Sequence, residues 1–155
     1  IRDEAWAQSL PVGKVDVILS STALHWLAPN ELIALYMQLG DLLRPGGLFL
    51  NADEMRPSSS QFWPFFHNWS RQAWVSYFSK PDSENWDDYW KAISDEPGFK
   101  DHYEEHISLM GTQHCSSDVW GAAYPLHASM LNAAGFQATE TLWQDGIERV
   151  IIAIR

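Results

Sequence analysis

An α/β domain is the fold class that the sequence predicts, and three observations predict it. The stretch from Lys14 to Asp53 reads as strand, loop, helix, turn and strand, a βαβ unit. The C-terminus carries two apolar runs joined through Asp145-Gly146, a strong hairpin signal. Between them, residues 54–117 lose the strand pattern and become aromatic, acidic and irregularly helical, as an insertion between core elements does.

Each element follows from local chemistry. Pro11-Val12-Gly13 reads as a turn, and Val15 to Ser20 is nearly all apolar, as expected of a parallel strand covered on both faces. Pro29 suits the first turn of a helix, and Leu32, Leu35, Tyr36, Leu39, Leu42 and Leu43 recur on one helical face. Pro45 stops that helix, and Gly46 and Gly47, free to adopt positive φ, allow a tight reversal into a strand over Leu48 to Ala52. Gln61 to Phe78, Glu84 to Ser94 and Phe99 to Ser108 are predicted helices, broken at Lys80-Pro-Asp-Ser83 and Glu96-Pro-Gly98. Asp118 to Ala134 returns to helix, closed by Gly135 as a left-handed cap. Phe136 to Trp143 and Ile147 to Ile154 then form the hairpin, and Val150-Ile-Ile-Ala-Ile154 has the two-sided apolarity of a strand inside a sheet.

Composition narrows the function. The 155 residues suffice for one domain with a core. The formal charge of −10 repels polyphosphate and anionic membrane surfaces, so neither a nucleic acid nor a membrane is an expected partner. The lone Cys115 forms no internal disulfide, which makes the cytoplasm the default location. No apolar run approaches the roughly 20 residues that span a bilayer. Of nine tryptophans, Trp63, Trp69, Trp74, Trp86 and Trp90 crowd one window, which marks it as the expected substrate region.

The βαβ unit, with its Ser20-Ser-Thr-Ala-Leu-His-Trp-Leu27 loop and its Leu43-Arg-Pro-Gly-Gly47 turn, resembles the middle of the S-adenosyl-L-methionine (SAM)-dependent methyltransferases with a Rossmann-like fold. The resemblance implies a partial sheet made of strands 4, 5, 6 and 7 of that family, with the last strand antiparallel to the rest. The family's glycine-rich loop has no counterpart here, since the only adjacent glycines are Gly46 and Gly47. The chain therefore reads as the C-terminal portion of a longer methyltransferase, and the resemblance implies an incomplete cofactor site that leaves this chain inactive alone. It also leaves Val15 to Ser20 as an edge strand, so the isolated chain is expected either to form a homodimer through that edge or to be poorly soluble.

Ligands of open α/β sheets bind beyond the carboxyl ends of the strands. The resemblance implies that Ser20, Ser21 and Ala23 line the methionine part of SAM, with His25 and Trp26 facing the sulfonium or the acceptor. His25 is the candidate base, and the competing reading has it capping a turn while Leu24, Trp26 and Leu27 pack. Trp6 is placed beside the adenine or, equally, as a surface anchor. Asp53, ending its strand, either touches acceptor or water or caps a turn. Trp63, Phe66, Trp69 and Trp90, with Phe62, Phe65 and Trp74, form either the wall of a small-molecule acceptor pocket, suited to a sulfonium by cation–π attraction, or the core of a helical cap.

Two further readings compete. A non-catalytic α/β binding or assembly module would explain the missing glycine-rich loop. His102-Tyr-Glu-Glu-His106 matches the H-x-x-E-H pattern of zinc peptidases, with His114 and Cys115 nearby, although no third ligand follows at helical spacing and no metal is expected. The acids between Asp82 and Glu105 read as a solvated face.

Overall fold

The computed structural model describes residues 6–11, 13–80, 83–84, 86–112 and 121–155. The chain divides into two compact units, residues 1–70 with 120–155, and residues 71–119. Its helices and strands are β1 (Val15–Ser21), α1 (Pro29–Leu42), β2 (Leu43–Glu54), α2 (Trp63–Phe78), α3 (Trp86–Asp95), α4 (Lys100–Thr112), α5 (Tyr124–Ala133), β3 (Ala138–Asp145) and β4 (Glu148–Ile154).

The first unit holds a four-stranded sheet in the order β1-β2-β4-β3. β1 runs parallel to β2, while β4 runs antiparallel to both β2 and β3 and lies between them. That central place accounts for the apolar run Val150 to Ile154, of which Ile151 and Ala153 are fully buried. One face of the sheet carries the core: Leu32, Leu35, Tyr36 and Leu39 of α1 and Leu131 of α5 pack with Phe49, Ile151 and Phe136. Each such side chain stabilises the fold by about 1.5 to 3 kcal/mol.

The start of β2 differs from the expected strand at Leu48. Helix α1 ends at Leu42 and the next residue is already extended, so the Arg-Pro-Gly-Gly segment lies within β2. The pairing jumps from Val15 opposite Leu43 to Val17 opposite Leu48, which makes this segment a bulge. Gly46 has the predicted positive φ of 77°, whereas Gly47 serves close approach instead. A Cβ on Gly47 would sit 2.9 Å from the Arg44 carbonyl oxygen and 3.1 Å from that of Asp16.

Strand β1 is the sheet's edge, and only its core-facing side is covered. Val17 and Leu19 are 48% and 73% exposed on the opposite face, so the expectation of cover on both faces fails there. Glu31 steadies the start of α1 by accepting a hydrogen bond from the Ala28 backbone N–H at 2.8 Å. Arg155 closes the other end: its guanidinium donates to the carbonyls of Gly40 at 2.9 Å and Gly135 at 2.7 Å, where helix dipoles favour a cation. Gly135, with φ of 88°, is the expected left-handed cap after α5.

In the second unit, α3 packs against α4. His102 lies on α4. The His106 side chain, His114, Cys115 and the predicted helix start at Asp118 all fall outside the described residues. Among the described residues no group of three metal-ligating side chains gathers, and no helix is long and apolar enough to cross a membrane.

Candidate functional site

The carboxyl ends of β1 and β2 meet in a loop whose shape is set by one carboxylate. After Ser21 the chain turns at Thr22, at a φ of 48°, and the Thr22 N–H donates to the Ala52 carbonyl at 2.9 Å. Leu24 to Trp26 then form a single 3-10 turn. Its first amides, buried and without partners in the turn, need acceptors. Asp53 supplies them, with Oδ2 accepting from the Leu24 N–H at 2.8 Å and the His25 N–H at 3.1 Å. Its Oδ1 accepts from the Glu54 N–H at 3.0 Å and pairs with His25 Nδ1.

Asp53 is therefore both the turn's cap and the partner of the histidine ring. Its side chain is 1% exposed and that of His25 is 8% exposed. A carboxylate only accepts, so Nδ1 carries the proton and the neutral ring has its lone pair on Nε2. Burial lowers the histidine's pKa, but the hydrogen bond and charge of Asp53, with the charges of Glu54 and Glu148, outweigh it and raise the value above 6.5. Glu54 and Glu148 face each other across the β2–β4 ladder, and burial, then their mutual repulsion, raises the Glu54 pKa. Glu148 is raised by burial and by the Asp53 charge. This acidic end of the sheet suits a cationic ligand.

The other predicted residues are placed as follows. Ser20 is half-buried, Ser21 is exposed, and Ala23 packs against the core. Trp26 lies with its ring centroid 4.9 Å from that of His25. Trp6 packs against the core, and its indole N–H donates to Gln38 of α1, the contact of an anchor. The Trp63 ring lies under the Arg56 guanidinium at 5.5 Å. Trp69 donates its indole N–H to Asp145 at 2.7 Å, tying α2 to the β3–β4 hairpin. Trp90 belongs to the second unit, where its ring neighbours are Tyr89 and Tyr103.

A cavity of about 770 Å³ opens in the first unit, beyond the carboxyl ends of β2 and β3. Phe62, Phe65 and Phe66 form its apolar side, with Met55 and Tyr124. Phe62, Phe65 and Phe66 are the candidate acceptor-wall residues that line it, whereas Trp63, Trp69, Trp74 and Trp90 are not in its lining. Its charged lining is Arg56 and Arg149, which sequence reasoning missed because neither stands in a pattern. Arg149 stacks on Tyr124 at 4.5 Å and donates to Thr141 Oγ1 at 3.2 Å and Gln144 Oε1 at 2.7 Å. Gly121 is wedged beside the dyad: its N–H donates to the His25 carbonyl at 3.3 Å, and a Cβ there would lie 2.8 Å from the Glu54 carbonyl oxygen.

No family model matches the sequence. Over 60 residues the chain is 38% identical to an uncharacterized methyltransferase of Synechocystis sp., an alignment covering 37% of this chain and 28% of that protein. Among solved structures, an O-methyltransferase family protein from Burkholderia thailandensis matches with a TM-score of 0.52 at 15% identity, over 99% of this chain and 34% of its own. Human N-acetylserotonin methyltransferase, solved in complex with SAM, matches with a TM-score of 0.52 at 14% identity, over 96% of this chain and 32% of its own. The chain thus has the fold of these methyltransferases and spans about a third of their length.

Proposed function

We propose that this chain is part of a SAM-dependent methyltransferase that transfers a methyl group to a small-molecule acceptor. The observation that carries this reading is the His25–Asp53 pair, held at the carboxyl ends of parallel strands in a methyltransferase fold. The local residues fit the cofactor: Ser20, Ser21, Ala23 and Trp26 would hold it, and the carboxylates of Asp53, Glu54 and Glu148 favour its positive charge. Bound there, SAM supplies an electrophilic methyl group.

His25 is the general base of this reading. With Asp53 holding the proton on Nδ1, Nε2 takes the proton of the acceptor's heteroatom, and the resulting imidazolium is stabilised by the carboxylates around it. Asp53 acts through His25 and the loop amides as a positioning residue. Phe62, Phe65 and Phe66 supply the acceptor's apolar surroundings. The formal charge of −10 favours a small molecule over nucleic acid, and a single cysteine suits the cytoplasm. The exposed edge of β1 supports a homodimer formed by strand pairing.

Calorimetric titration of S-adenosylhomocysteine tests the reading. Binding that weakens when Ser21 and Trp26 are substituted is the expected result. Absence of binding to the chain and to any longer protein that contains it would favour the non-catalytic module.

A further inference from the structure

The cavity beside the β3–β4 hairpin has a charge opposite to that of the protein. The sequence has 20 acidic residues and only 10 basic ones, yet two arginines and no Asp or Glu line this cavity. Among the described residues, Arg149 has no carboxylate within ion-pair distance. Its hydrogen-bond partners, Thr141 and Gln144, are neutral and orient the guanidinium without neutralising it. The Tyr124 ring, 4.5 Å beneath it, fixes its plane. Two Nη hydrogens remain for a ligand once those two bonds are made. A partly buried guanidinium oriented by neutral partners and without a counter-ion is poised to pair with a ligand that supplies one.

We propose that the acceptor is an aromatic or similarly flat apolar acid whose carboxylate pairs with Arg149 while its rings lie against Phe62, Phe65 and Phe66. The assignment rests on the methyltransferase reading only for the word acceptor; the anion site itself stands on the cavity. Arg56 shares the lining, with its guanidinium 5.5 Å from the Trp63 ring. A planar carboxylate matches the arginine fork, and the phenylalanine side of a cavity of about 770 Å³ accommodates a two-ring body. Cationic acceptors are excluded by the same charges.

The test uses three probes of one shape and different charge: naphthalene-2-carboxylate, the neutral carboxamide and the cationic carboxamidine, each titrated into the protein by calorimetry. The carboxylate should bind tighter than the carboxamide by roughly tenfold, the order expected of a charge-assisted hydrogen bond, and the carboxamidine weakest. Arg149→Gln should abolish the preference and leave carboxamide binding in place, while Arg149→Lys should keep part of it; retained carboxamide binding shows that the pocket is folded. Equal binding of carboxylate and carboxamide, an undiminished preference in Arg149→Gln, or no binding of any probe overturns the proposal. S-adenosylhomocysteine titrated in parallel, into this chain and into a longer protein that contains it, separates the two readings: its failure to bind either beside an intact carboxylate preference removes the methyltransferase reading and keeps the anion site.

Discussion

Asp53 and His25 are separated by 28 residues in sequence, yet one carboxylate holds both the imidazole and the backbone amide of that histidine. The ring cannot be reoriented without disturbing the loop, because Oδ2 of the same group also caps Leu24 at 2.8 Å. Position and protonation of His25 are thereby set by a residue that is itself sealed from solvent.

Asp53→Asn should separate these roles. The amide keeps an acceptor for the loop and loses the charge, so the His25 pKa should fall from its raised value, read as the shift of its ring proton resonances with pH. The cost in stability should be roughly 1 to 3 kcal/mol, the range for a buried polar group left imperfectly paired. A pKa that does not move would mean that Asp53 is not the main cause of the shift.

On the proposed reading, methyl transfer by a longer protein that contains this chain should rise with pH through an apparent pKa above 6.5, because in that reading only neutral His25 takes a proton. His25→Gln should remove that limb and lower kcat by about 100-fold or more. The linkage to stability has the opposite sense. A raised histidine pKa stabilises the fold fully below its unfolded value and loses that contribution as pH rises through the folded value.

Tyr36 and His127 form a second buried pair, with the phenol oxygen 2.6 Å from Nδ1. Burial lowers the His127 pKa to about 4, so the native state keeps this ring neutral where the unfolded chain protonates it. Stability should therefore fall as pH drops from about 6.5 to about 4, by roughly 3 kcal/mol at most, and level off below. Tyr36→Phe should cost about 1 to 3 kcal/mol by leaving the imidazole nitrogen unpaired. Urea denaturation at a series of pH values checks both expectations.

Much of the fold was legible because it rests on local signals. Pro29 and the leucine spacing mark α1, Asp145-Gly146 marks the hairpin, and Gly135 ends α5. The bulge at Arg44 to Gly47 was not, since glycines after a helix suit a turn as well as a kinked strand, and only the pairing with Val15 and Val17 decides between them. His25 and Asp53 were each visible as candidates, but their pairing depends on the register of β1 against β2. The same holds for Glu54 opposite Glu148, a contact that arises only when β4 inserts beside β2. Arg149 gained its meaning from the cavity, which no spacing encodes.

The free edge of β1 yields the last prediction. Val17 and Leu19 project from the strand at 48% and 73% exposure, and among the described residues no strand pairs with its outer side. An apolar edge of this kind recruits another strand, and the simplest partner in a purified sample is a second copy of the chain. Light scattering should report a dimer whose fraction rises with concentration. Leu19→Lys should shift that equilibrium towards monomer, since pairing would then bring a lysine and its symmetry mate together on an apolar face. The residue lies on the side away from α1, so melting temperature should change little. A monomer at high concentration in the unsubstituted chain would overturn dimerisation through this edge, and a dimer indifferent to this lysine would place the contact elsewhere.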